Sequence, residues 1–112
     1  MEELVTQIEQ ALADVERELS DPDVAADLQR MAQLGRRHKE LSEQAALGQR
    51  WRAASQGIAD ARGMLKGEQD AEMRSYLEGE LASSEEALTA VEEELRLALV
   101  ERPRQYGTIF SS

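Results

Sequence analysis

From Leu28 to Leu65 the residues suited to packing return every three or four positions without a break: Leu28, Met31, Leu34, His38, Leu41, Ala45, Gly48, Trp51, Ala54, Ile58, Ala61 and Leu65. An α-helix brings positions three and four apart onto one face. Nothing between Asp27 and Lys66 stops such a helix outright. At ~1.5 Å per residue it would reach about 60 Å, so the remaining chain must be arranged along a rod. Four glycines, Gly35, Gly48, Gly57 and Gly63, oppose the helix. Each costs about 1 kcal/mol relative to alanine in a helix interior. A bend or weakened region is therefore expected around Gly57 to Gly67. Alternatively, Gly48 serves the close approach of a partner helix.

Two further stripes supply partners. Leu4, Ile8, Leu12, Val15 and Leu19, widened by Ala11, mark a helix over about 2–19, with Glu2, Glu9, Glu16 and Arg17 on its outer face. Ser20-Asp21-Pro22-Asp23 stops it, because Pro22 disfavours helical geometry at Asp21. The same proline suits the first position of a new turn capped by Asp21 or Ser20. The long helix then starts near Ala26 or Asp27 and runs to about Lys66. Gly67 is expected to close it as a left-handed residue, and Asp70 to cap the next helix. Met73, Leu77, Leu81, Ser84, Leu88, Val91, Leu95 and Ala98 form the third stripe. Pro103 and the loss of periodicity are expected to end it near Val100.

The expected fold is all-α. It is an antiparallel three-helix array with two long coiled-coil-like helices, about 26–66 and 70–100, and one shorter N-terminal helix, about 2–19. Residues 1–100 form the helical domain, and 101–112 a short C-terminal tail expected to be poorly ordered. Composition agrees. Three isoleucines, five valines and one phenylalanine leave little for a sheet.

The chain has no cysteine, so it has no disulfide frame and no thiolate metal site. Glu2 and Glu3 stand where an export signal would carry positive charge, and no stretch nears ~18 uninterrupted apolar residues. A cytoplasmic protein that does not engage membranes is the expectation. The net charge of -10 argues against a free nucleic-acid binder. Its distribution says more. Residues 1–23 hold eight acids and one base, residues 24–67 four acids and eight bases, and residues 68–101 eleven acids and two bases. A basic middle segment between two acidic ones reads as intramolecular complementarity. Exposed pairs add only about 0–1 kcal/mol each, so their use is to set which helices pair.

Catalytic groups are few. His38 is the only histidine and sits on the stripe of the long helix, where it serves packing better than proton transfer. Glu92, Glu93 and Glu94 are consecutive, so their side chains splay ~100° apart and read as a solvated face rather than a metal site. No Walker or dinucleotide fingerprint occurs. No enzyme, cofactor or metal is expected. Arg36, Arg37, Lys39, Arg50 and Arg52 form the basic concentration. They either pair with acids of neighbouring helices or contact the phosphates of a partner. Trp51 is the one aromatic among them, too little for a stacking ladder, and is expected to be half-buried packing.

The order of segments resembles a known family. Leu19-Ser20-Asp21-Pro22-Asp23-Val24 ends the first helix. Leu34-Gly35-Arg36-Arg37-His38-Lys39-Glu40-Leu41 lies in the second. Asp70-Ala71-Glu72-Met73-Arg74 opens the third, and Glu92 to Val100 lies within it. This series resembles the N-terminal helical domain of bacterial class I peptide chain release factors, of the release factor 1 type, over about residues 4 to 100. His38 stands where the family often has tyrosine, and Ala71 where it often has proline. The resemblance implies a role in translation termination. It implies docking near the stalk-base region of the large ribosomal subunit, and a link to the release-factor GTPase. The family hydrolyses peptidyl-tRNA through a Gly-Gly-Gln loop and reads stop codons with a tripeptide in another domain. Gly-Gly does not occur here, so neither activity is expected of this chain. Residues 101–110 also depart from the family's Pro-, Asp- and Asn-rich linker. The competing expectation is a structural coiled coil that homodimerises through an apolar seam left uncovered by the narrow, alanine-containing stripes.

Overall fold

The computed structural model describes the backbone of residues 1–111 and the side chains of residues 1–100. Four helices follow one another: α1 (Glu2–Leu19), α2 (Pro22–Ala25), α3 (Leu28–Leu65) and α4 (Ala71–Ser111). No strand occurs among the described residues. The all-α expectation holds, with two long helices and a shorter N-terminal one; α2 is a single additional turn. Asp21 caps it, its carboxylate accepting from the Asp23 amide at 2.9 Å, with Pro22 at the first position. Asp27 does the same for α3, accepting from the Arg30 amide at 3.1 Å. α3 is unbroken through all four of its glycines.

The chain divides into two compact units, Met1–Gly48 and Gln49–Ser112, so α3 contributes to both. In the first unit α1 runs antiparallel to the leading part of α3. Val5 lies beside Gly48, Glu16 beside His38 and Glu18 beside Arg30. Val5, Ile8 and Val15 of α1 are buried, as are Leu34 and Leu41 of α3. The seam centres on Val5, which the sequence stripe omitted in favour of Leu4. Gly48 is the reason. A Cβ there would sit 2.9 Å from Val5 Cγ1, so the missing side chain makes room for a β-branched one. The expected close approach at Gly48 is thus present. Leu28, in contrast, is 84% exposed. α1 has ended by Leu19 and its Glu18 reaches only Arg30, so Leu28 lies past the end of its partner.

In the second unit the trailing part of α3 runs antiparallel to α4. Arg50 meets Glu94, Gly57 meets Ser84 and Arg62 meets Glu85. Ala54, Ile58, Ala61, Leu77, Val91 and Leu95 are buried. Asp70 caps α4 as expected, accepting from the Met73 amide at 2.9 Å. Met73 itself is exposed in the first turn, although the stripe had included it.

Two expectations fail at helix ends. Gly67 is not left-handed; no glycine among the described residues has positive φ. The C-terminus of α3 is satisfied from across the turn instead. The Arg74 guanidinium donates to the Leu65 carbonyl at 2.9 Å and to the Glu68 carbonyl at 2.8 Å. A charged fork meets carbonyls left bare at the negative helix end, which removes the need for a left-handed cap. Secondly, α4 does not stop near Val100 but is continuous to Ser111. Pro103 removes one amide hydrogen bond, and one such loss does not oblige a helix to end. The expected poor order of the 101–112 tail falls on residues whose side chains lie outside the described ones.

Candidate functional site

The basic concentration lies along the middle of α3, where steps of one and two residues distribute it around the helix rather than on one face. Arg36 and Lys39 are three apart and neighbours on the surface, while Arg37 projects ~100° further round. All three are exposed and belong to the first unit. None of them forms a hydrogen bond or ion pair with another described residue. The nearby apolar positions Leu34 and Leu41 hold the inner face, which turns these cations outward.

Arg50 and Arg52 belong to the second unit and behave differently. Arg50 forms a two-pronged pair with Glu94, at 3.1 Å to Oε1 and 2.7 Å to Oε2. The hydrogen bonds from Arg50 hold the Glu94 carboxyl below its ordinary range, and the same contact raises the Arg50 guanidinium. Arg52 is half-buried and also engaged. The five sequence candidates therefore separate into three free cations, Arg36, Arg37 and Lys39, and two occupied ones.

Complementarity between the segments is real but partial. Glu18 binds Arg30 at 2.6 Å, and Glu16 lies 3.1 Å from His38 Nε2 in the first unit. Arg62 binds Glu85 at 3.1 Å in the second. His38 is thus a half-buried partner of a carboxylate, with Ser42 Oγ at 3.5 Å from its other ring nitrogen. The three consecutive glutamates diverge: Glu92 accepts from the Trp51 indole at 2.9 Å, Glu93 lies 3.8 Å from Arg96, and Glu94 takes Arg50. The bland reading of this run as a solvated face missed the anchoring of Arg50 and Trp51. Trp51 on the stripe with Arg50 beside it, facing an acidic helix, was the available signal. Among the described residues no group of three acidic or imidazole side chains converges on a metal position. No described helix is long and apolar enough to cross a membrane.

Comparison with known proteins adds to this geometry. The PCRF domain family matches residues 8–109. Peptide chain release factor 1 of Acidobacterium capsulatum is 41% identical over 100 residues, covering 89% of this chain and 28% of that protein. The release factor 1 of Chlorobaculum tepidum is 33% identical over 86 residues, covering 77% and 24%. That of Maridesulfovibrio salexigens is 33% identical over 100 residues, covering 89% and 28%. The chain therefore spans about a quarter of the length of these curated relatives. No solved structure matches.

Proposed function

Because this chain belongs to the PCRF domain family and corresponds to the N-terminal part of peptide chain release factor 1, we propose that it serves translation termination as a docking domain for the ribosome. The match over residues 8–109 carries this reading. In it, Arg36, Arg37 and Lys39 supply cations to ribosomal phosphates near the stalk base of the large subunit, in the cytoplasm. Their exposure and lack of protein partners support that role, since phosphate contacts need charges that no carboxylate already neutralises. Arg50 and Arg52 have structural duties instead. A release-factor GTPase is the second partner in this reading. Peptidyl-tRNA hydrolysis and stop-codon reading are assigned to other parts of the family's architecture, and the 112 residues contain no Gly-Gly pair for a hydrolytic loop.

Co-sedimentation with purified 50S subunits at low and high salt tests the proposal. Retention at low salt is expected, falling as salt rises. Reversing Arg36, Arg37 and Lys39 to glutamate together should abolish it. Each phosphate contact contributes roughly 0.7–0.9 to the slope of log affinity against log salt, so the three account for a slope of about 2–3. Absence of low-salt retention, or retention indifferent to the triple reversal, overturns the docking role.

A homodimer is the second reading, favoured by Leu97 and Val100, which α4 leaves 47% and 56% exposed. Sedimentation velocity across concentration separates the two. A tight dimer would transfer the weight of the proposal from docking to self-assembly.

A further inference from the structure

In the second unit α3 and α4 enclose an open groove of about 260 Å³. Its floor is narrow because Gly57 and the buried Ala61 carry little or no side chain there, with Leu77 beside them. Met64 and Tyr76 rise on the two walls, and both are more than half exposed, at 61% and 62%. Two large apolar groups held in water on either side of a small-residue floor are the usual makings of a helix-binding cleft.

The charge around it narrows the occupant. The charged residues of the lining are Asp60 and Glu80, both acidic. Their hydrogen bonds come from neutral donors: the Gln56 amide to Asp60 at 2.8 Å, and the Tyr76 hydroxyl to Glu80 at 3.0 Å. Arg62 is tied to Glu85, and Arg74 is turned onto the carbonyls of the α3–α4 turn. As an occupant of this acidic groove, a second copy of this chain is disfavoured by its net charge of -10.

We propose that this groove binds a cationic amphipathic helix of a partner protein. Apolar anchors of that helix enter between Met64 and Tyr76, and Lys or Arg residues beside them meet Asp60 and Glu80. The occupant is a polypeptide, and its site lies in the second unit, separate from the cations assigned to phosphates in the first. The inference therefore survives if ribosome docking fails, and the reverse also holds.

The test uses the whole 112-residue chain and a phage-displayed library of helical peptides. Selected peptides are then synthesised alongside counterparts whose Lys and Arg are replaced by Glu. Methyl-labelled methionines report position: Met64 lies in the groove and Met31 in the first unit. The expected result is enrichment of basic amphipathic sequences that shift the Met64 methyl and not Met31. The acidic counterparts should bind at least ~10-fold more weakly, as each unfavourable charge contact weakens docking. Asp60→Lys with Glu80→Lys should reverse that preference. Met64→Ala, a truncation on an exposed wall, should weaken the basic peptides without touching the acidic residues, and serves if the reversals disturb the helices. The proposal is overturned by a selection that yields no binder or acidic ones. It is equally overturned by shifts at Met31 alone, or by a Met64 signal that moves with protein concentration before any peptide is added.

Discussion

The two units are each built on an antiparallel helix pair, yet they leave different surfaces free. In Met1–Gly48, a glycine accepts a stiff β-branched neighbour, Val5, and the arginines and lysine at 36, 37 and 39 are left free. In Gln49–Ser112, a glycine faces the hydroxyl of Ser84, and Arg50 and Arg62 are bound to glutamates of α4. The first seam carries its cross-helix pairs towards the end of α1, Glu16 with His38 and Glu18 with Arg30, and leaves three cations available. The second is tied along its length by specific polar pairs and leaves apolar surface available, in the groove of Met64 and Tyr76. One antiparallel motif can therefore reserve either kind of surface, depending on which contacts set its register.

The largest effects should come from the seams themselves. Leu41→Ala in the first unit and Leu95→Ala in the second each remove a buried side chain, 3% and 0% exposed. Each should lose about 2–5 kcal/mol of stability in urea unfolding. Unequal midpoints for different probes in the two variants would show that the units unfold separately.

Glycine substitutions sharpen the contrast next. Gly48→Ala gains helix propensity but drives a methyl to 2.9 Å from Val5 Cγ1. Val5 has one preferred rotamer in a helix and cannot swing aside cheaply. A net loss of about 1 kcal/mol is expected. At Gly57 the close atom is the Ser84 hydroxyl oxygen, at 2.7 Å. A hydroxyl can change rotamer, so Gly57→Ala should be neutral or gain up to ~1 kcal/mol from propensity. Equal losses at both positions would erase the distinction between a glycine that seats a stiff neighbour and one that faces a hydroxyl free to turn.

Asp70→Ala should remove about 1 kcal/mol by uncapping α4, read from the same unfolding curves. The smallest effect belongs to Glu94→Gln. The native Glu94 carboxyl lies below its ordinary value of 4.5 because of Arg50. Its contribution is therefore fully present above that ordinary value and is lost as pH falls through the lowered folded value. The stability difference between the parent chain and Glu94→Gln should be visible at neutral pH and vanish in acid. A difference that persists in acid would remove the ion pair from the account of the second unit.

How much of this was legible in the sequence follows from what sets each feature. The helices, their starts at Asp21 and Asp70, and the acidic-basic-acidic pairing are local or compositional, so periodicity and capping chemistry carried them. The centre of the first seam was not, because Val5 gains its place only from a glycine 43 positions away. The turn after α3 was misread for the same reason: Gly67 is the local candidate, and the actual donor, Arg74, belongs to the next helix. Among the five basic candidates, residue type is uniform and only tertiary partners distinguish Arg36, Arg37 and Lys39 from Arg50 and Arg52. The groove was missed because Met64 stands off the stripe that periodicity selected, and Tyr76 stands beside the third one.

The arginine that closes the α3–α4 bend has a practical corollary. Arg74 supplies this clasp from the first turn of α4. It grips main-chain oxygens of Leu65 and Glu68, which every residue type offers. The side chains at the apex are consequently free to vary, and Gln69, exposed there, becomes a natural attachment point for a fluorophore or tether that reports on the molecule without disturbing either arm.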